Sequence, residues 1–316
     1  MQKSRFSDTA DLSAASVEPG EPTYTCGQVS QSVWYAFTPA ETASVTVRLD
    51  QNYYAYSIVT VFTGSSPANL TQVACKSYFY GALTFRATAG QTYYLQLGNM
   101  FAYYTNTARL SLDLAPPIQV DFSTYPYDPS VYDRVSYYDY SNDPGGNSIV
   151  SREWRFGDGA TSGDPYPYHQ YAADGDYTVQ LADTTSDGRT GSASRVLQVR
   201  THDVSINKFQ APTSASAGQT RGVSVYVRNP RYDDTVEVTL YKSDPSGYGS
   251  FVLVGSLTQF VAASPNRTVE FPFNYTFTAN DATVGKVTFK AVAALVGTRD
   301  ALPADNEAIS APTKVN

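Results

Sequence analysis

Apolar and polar side chains alternate in this chain over short runs, and each run stops at a turn. Val45-Thr46-Val47-Arg48-Leu49, Tyr177-Thr178-Val179-Gln180-Leu181 and Val223-Ser224-Val225-Tyr226-Val227 each put every second residue on one face. A period of two is that of a β-strand buried on one side, and such a strand needs a second layer to cover it. In the first third of the chain these runs recur about every eight to twelve residues, the rhythm of a sandwich or barrel. No long stretch has a 3.6-residue period closed by caps. The expected class is therefore all-β: three consecutive antiparallel β-sandwiches, one jelly-roll-like and two immunoglobulin-like. The expected boundaries are 1–116, 117–200 and 201–316, with Pro116-Pro117 and Thr201-His202 at the joints.

Charge narrows the functions. Charged residues are 16% of the chain and the net charge is −7. A chain that acidic has no basic stripe to neutralise phosphates, which excludes a nucleic-acid partner. No apolar run is long enough to span a bilayer, so membrane insertion is not expected. Met1 to Arg5 is not followed by an apolar stretch, so no signal peptide is expected in the given chain. The two cysteines, Cys26 and Cys75, can be buried thiols or a disulfide; the disulfide is favoured, and it places the protein outside the cell or on its surface.

The middle third carries the most specific string. Trp154-Arg155-Phe156-Gly157-Asp158-Gly159 is a strand with one apolar face running into a turn that suits glycine. His169, Tyr171, Gly175, Tyr177, Thr178, Val179 and Leu181 follow at fixed offsets. This pattern resembles the polycystic-kidney-disease (PKD) domain, an immunoglobulin-like sandwich of cell-surface proteins and secreted hydrolases. The resemblance implies a spacer, an adhesion module or a substrate-presenting module, and no catalytic residue. The strings VWYAFTP (33–39) and AGQTYYLQL (89–97) resemble the bacterial pre-peptidase C-terminal domain, a jelly-roll-like module. In the last third, AGQT (217–220), VSVYVRN (223–229) and ADNEA (304–308) resemble the CARDB domain, a bacterial module associated with adhesion.

No catalytic constellation can be assembled, so the chain is not expected to be an enzyme, and no cofactor is expected. His169 belongs to the PKD pattern and His202 stands at a joint. Nucleophile elbow, zincin and phosphate-loop motifs are missing. Asp139, Asn142, Asp143 and Asp158 could gather oxygens for calcium, but short-range turn bonds explain Asp143 and Asp158 as well. Asn69, Asn266 and Asn274 head glycosylation triplets.

Tyrosine is the abundant oddity, with 26 copies. Tyr53, Tyr54, Tyr56, Tyr78, Phe79, Tyr80, Phe101, Tyr103 and Tyr104 fall between expected strands, after runs ending at Leu49, Cys75 and Leu97. They are expected to share one rim as a binding or assembly surface, because tyrosine gives large contact area at low rotamer cost. Tyr125, Tyr127, Tyr132, Tyr137, Tyr138 and Tyr140 could extend that surface or pack between domains. The expected function is that of a non-catalytic extracellular adhesion or structural protein. It would be a rod of β-sandwiches whose tyrosine loops join copies of itself in a fibre or surface layer, or bind a glycan or protein. The alternative is the accessory, substrate-binding region of a secreted hydrolase, a protease whose catalytic domain lies elsewhere. A weaker alternative is a virion decoration or fibre protein, which free thiols would favour.

Overall fold

The computed structural model describes residues 6–22, 26–51, 56–66, 69–77, 82–101, 107–244 and 249–316. It is all-β, built of paired antiparallel sheets. The first sandwich holds β1 (Phe6–Asp11), β2 (Gln31–Phe37), β3 (Ala43–Gln51), β4 (Ser57–Thr63), β5 (Thr71–Lys76), β6 (Ala82–Ala87), β7 (Tyr93–Asn99) and β8 (Thr107–Leu114). One sheet has the order β1-β8-β3-β6 and the other β2-β7-β4-β5. Eight strands in that order are a jelly roll, in which the chain passes back and forth between two layers. The alternation seen in the sequence decides what lies between the layers. Val45, Val47, Val59, Val61, Leu95, Leu97, Leu110 and Leu112 form its core.

The middle sandwich has seven strands. β9 (Phe122–Tyr125), β10 (Val135–Asp139) and β13 (Tyr168–His169) form one sheet. The other contains β11 (Ile149–Arg155), β12 (Thr161–Ser162), β14 (Gly175–Thr185) and β15 (Thr190–Val199). Trp154 is fully buried, with Phe122 and Tyr137 packed on it at ring distances of 5.3 and 5.5 Å. Its indole nitrogen donates to the Asp164 carbonyl at 3.1 Å, so burial leaves no orphaned donor. Gly157 is required twice over. Its φ is +90°, and a Cβ there would meet the Thr178 backbone at 2.8 Å. Tyr137 is a core residue here, not the surface or domain-packing residue expected from sequence, because it sits on the inward face of β10.

The third sandwich runs from β16 (Ser205–Gln210) through β17 (Ser214–Ala215), β18 (Thr220–Asn229), β19 (Asp234–Ser243), β20 (Phe251–Val261) and β21 (Ser264–Thr276). It closes with β22 (Lys286–Val287), β23 (Phe289–Leu295), β24 (Glu307–Ile309) and β25 (Thr313–Val315). Val223, Val225, Val227, Val236, Val238, Leu240, Phe271 and Phe289 fill it. One short helix, α1 (Ala279–Val284), was not expected. Its signal is in the sequence: Thr278 and Asp281 make a reciprocal capping box, and Gly285 ends it in a left-handed conformation.

By compactness the chain divides into two units. One is 1–124 with 137–167 and 178–196; the other is 125–136 with 168–177 and 197–316.

Candidate functional site

Strand register fixes where the tyrosine-rich connections begin and end. Ser57 at the start of β4 faces Asn99 at the end of β7, and Lys76 at the end of β5 faces Val59. Gln51 at the end of β3 faces Ala108, and Ala82 at the start of β6 faces Arg48. The three connections therefore leave from one end of the jelly roll. Tyr53, Tyr54, Tyr78, Phe79, Tyr80, Tyr103 and Tyr104 lie outside the described residues. Tyr56 and Phe101 are described, and they meet edge to face with ring centroids 5.1 Å apart. Both rings are partly open to solvent, at 37% and 40% exposure. The Met100 amide donates to the Tyr56 carbonyl at 2.9 Å, and the Ser30 hydroxyl donates to the Met100 carbonyl at 3.0 Å. Cys26 and Cys75 form a disulfide near this end, with Cα atoms 6.1 Å apart. Asn69, Asn266 and Asn274 are all exposed.

The four oxygen residues of the middle sandwich take separate partners. Asp139 accepts from Arg152 at 2.6 Å and from the Ser141 amide at 2.7 Å. Asn142 pairs through its backbone with Gln119. Asp158 accepts from the Ala160 amide at 3.0 Å, closing its own turn. Asp143 binds Arg189 through two oxygens at 2.9 and 2.5 Å and accepts the Gly145 and Asn147 amides. Among the described residues, no group of three or more His, Cys, Asp or Glu is placed to hold a metal ion.

Arg189 is the hub that sequence reasoning did not single out. Besides Asp143 it donates to Asp187 at 2.7 Å and to the Pro116 carbonyl at 2.5 Å. Burial works against the Arg189 charge, but Asp143 and Asp187 outweigh it and raise its pKa above the ordinary value. Burial also opposes the Asp187 charge, yet bonds from Arg189, Thr185 and Ser44 pull its pKa down to about 2. The Asn142–Gly146 loop docks on the jelly roll at the same place, where the Thr84 hydroxyl donates to the Gly145 carbonyl at 2.7 Å.

The middle sandwich also displays rings. Tyr125, Tyr127 and Tyr132 are exposed, and Tyr125 and Tyr127 meet edge to face at 6.3 Å. Tyr138, Tyr140, Tyr166 and Tyr168 are exposed as well, with Tyr127 the most open at 79%. Arg134 lies over the Tyr168 ring at 4.3 Å. Both histidines contact neighbouring side chains. His169 packs edge-on against Tyr171, and His202 binds Asp234 at 2.8 Å while lying against Tyr232. Asp174 ties the joint after the middle sandwich, accepting from Thr201 at 2.6 Å, Tyr232 at 2.8 Å and Arg231 at 3.3 Å. Asp203 is different. Burial, then the nearby Asp305 and Asp300 carboxylates, push its pKa up to about 6.

Residues 130–200 match the PKD domain family. A stretch of 59 residues is 46% identical to a microbial collagenase of Vibrio alginolyticus, covering 19% of this chain and 7% of the collagenase's length. Among solved structures, the PKD1 domain of the Vibrio cholerae metalloprotease PrtV is 27% identical. That match covers 27% of this chain and all (100%) of that one, with a TM-score of 0.25. A CARDB domain from Pyrococcus furiosus is 16% identical over 37% of this chain and 90% of that one, with a TM-score of 0.29. The middle sandwich thus contains a PKD domain.

Proposed function

We propose that this chain is a non-catalytic accessory region of a secreted bacterial protease, and that it holds protein substrate for a catalytic domain located elsewhere. Two observations carry this: residues 130–200 of the middle sandwich match the PKD family, and a stretch of 59 residues of the chain is 46% identical to a microbial collagenase. The Cys26–Cys75 disulfide supports an extracellular location. Exposed rings such as Tyr127, Tyr140 and Tyr166 supply flat, rigid contact area suited to a polypeptide.

The test is co-sedimentation of the purified chain with fibrillar collagen, with peptide release assayed in the same tube. Retention on the fibrils without hydrolysis is the expected result. Absence of retention on collagen and on a panel of other fibrous proteins would overturn the reading.

A second reading is favoured by the jelly-roll end. There three tyrosine-rich connections leave together, and Tyr56 and Phe101 stand partly open. In that reading the chain is an adhesion protein that joins copies of itself or binds a glycan through this end. The free thiols that would point to a virion decoration or fibre protein are not there, since both cysteines are bonded.

A further inference from the structure

A cavity of about 590 Å³ opens on the outer face of the β2-β7-β4-β5 sheet. Its floor follows from alternation. Val33, Tyr35 and Phe37 of β2 and Tyr93, Leu95 and Leu97 of β7 belong to the core side, so Trp34 and Tyr94 project outward. Trp34 faces Gln96 across the pair and Ala36 faces Tyr94, which makes the two rings diagonal neighbours on one face. The stretch from Glu18 to Pro22 crosses above them and forms a wall. Glu21 pins that wall down: its carboxylate accepts from Ser32 at 2.9 Å and from Gln96 at 2.6 Å. It also accepts the Glu18 amide at 2.9 Å, which shapes the turn at Gly20. Leu70 closes the far side.

Among the described residues the lining is mostly rings, prolines and aliphatic carbon, with one hydroxyl, Ser66, two carboxylates, Glu18 and Glu21, and no Lys or Arg. That combination selects a cation on an apolar stem. Glu21 is already taken by Ser32, Gln96 and the Glu18 amide, so the methylenes pack on the rings while the head reaches the exposed Glu18 carboxylate and an aromatic face. A guanidinium fits better than an ammonium, because it is planar, stacks on rings and meets a carboxylate through two N–H groups.

We propose that this cavity is a specificity pocket for an arginine side chain carried on an extended polypeptide. The proposal rests on the reading above only for the source of that polypeptide, the protein substrate.

The experiment titrates the full chain with N-acetyl-arginine methylamide while the tryptophan indole cross-peaks are followed by NMR. The chain has two tryptophans. Trp154 is buried on Asp164 and serves as the internal control, and Trp34→Phe assigns the other peak. A saturable shift confined to the Trp34 indole is expected. The neutral citrulline analogue should bind at least about fivefold more weakly. Glu18→Gln, an exposed loop change that leaves the fold intact, should weaken the arginine probe by a similar factor, and Tyr94→Ala by at least as much. No shift at Trp34, an equal response to citrulline, indifference to Glu18→Gln, or a response to neutral oligosaccharides alone would each overturn the proposal. Arginine binding without retention on any fibrous protein would sink the accessory reading and leave the pocket. Retention without the Trp34 shift would do the reverse.

Discussion

Arg189 shows how one side chain can fasten a joint by bonding groups from three segments of the chain. It is 13% exposed, and its partners Asp143 and Asp187 are 0% and 4% exposed at the side chain. Removing one partner of a buried pair strands the other charges. Arg189→Met should therefore destabilise the chain by about 3–5 kcal/mol, read as a loss of denaturation midpoint in urea. The triple change Arg189→Met, Asp143→Asn, Asp187→Asn should cost clearly less, because no charge is left unpaired. A triple variant as unstable as the single one would show that packing, and not charge, holds the joint. Asp203 has the opposite sign. Its folded pKa of about 6 lies above the ordinary 3.8, so its contribution to stability is whole below about pH 4 and is lost as pH rises through about 6. Asp203→Asn should thus stabilise at pH 8, by about 1–2 kcal/mol once partial exposure is allowed for, and do little at pH 4. Thermal melts at the two pH values check this. Equal effects at both would mean that the cost of charging Asp203, set by its burial and by Asp305 and Asp300, is not the cause.

At the scale of elements, the strands are legible in the sequence and the long-range bonds between them are not. Alternation over Val45–Leu49, Tyr177–Leu181 and Val223–Val227 maps directly onto β3, β14 and β18, because a period of two has one physical explanation. The Gly157-Asp158-Gly159 turn was equally readable, since positive φ and a close backbone leave glycine as the residue that fits. The Arg189 hub is not legible in the sequence, because Asp143 and the Pro116 carbonyl lie 46 and 73 positions away from it and no local pattern announces such bonds. The aromatic pocket escaped notice for a related reason. Trp34 and Tyr94 each look like ordinary strand residues, and only the β2–β7 register sets them side by side. Tyr137 was misplaced because a run of aromatics hides which of them face inward. The disulfide allows a prediction at this scale. Closing a loop with a sequence separation of 49 restricts the unfolded jelly roll, so Cys26→Ser with Cys75→Ser should cost about 2–4 kcal/mol. Chemical denaturation with and without reductant measures it. A double variant as stable as the native chain would mean that the end bearing the tyrosine connections is held by other contacts.

For the whole molecule, the question is whether exposed tyrosines and the aromatic cavity face other polypeptides or copies of this chain. Large exposed aromatic patches on a lone protein invite association, so both answers are physically open to a chain of this composition. The proposed protease-accessory function and the proposed arginine pocket both require a foreign polypeptide. The most direct measurement is the solution mass of the full chain by light scattering over a concentration series, alone and with a soluble fragment of fibrous protein. A constant monomer mass is expected for the chain alone, and a heavier complex when the fragment is added. Growth of large species from the chain alone, with no complex formed, would contradict it and make the chain a building block.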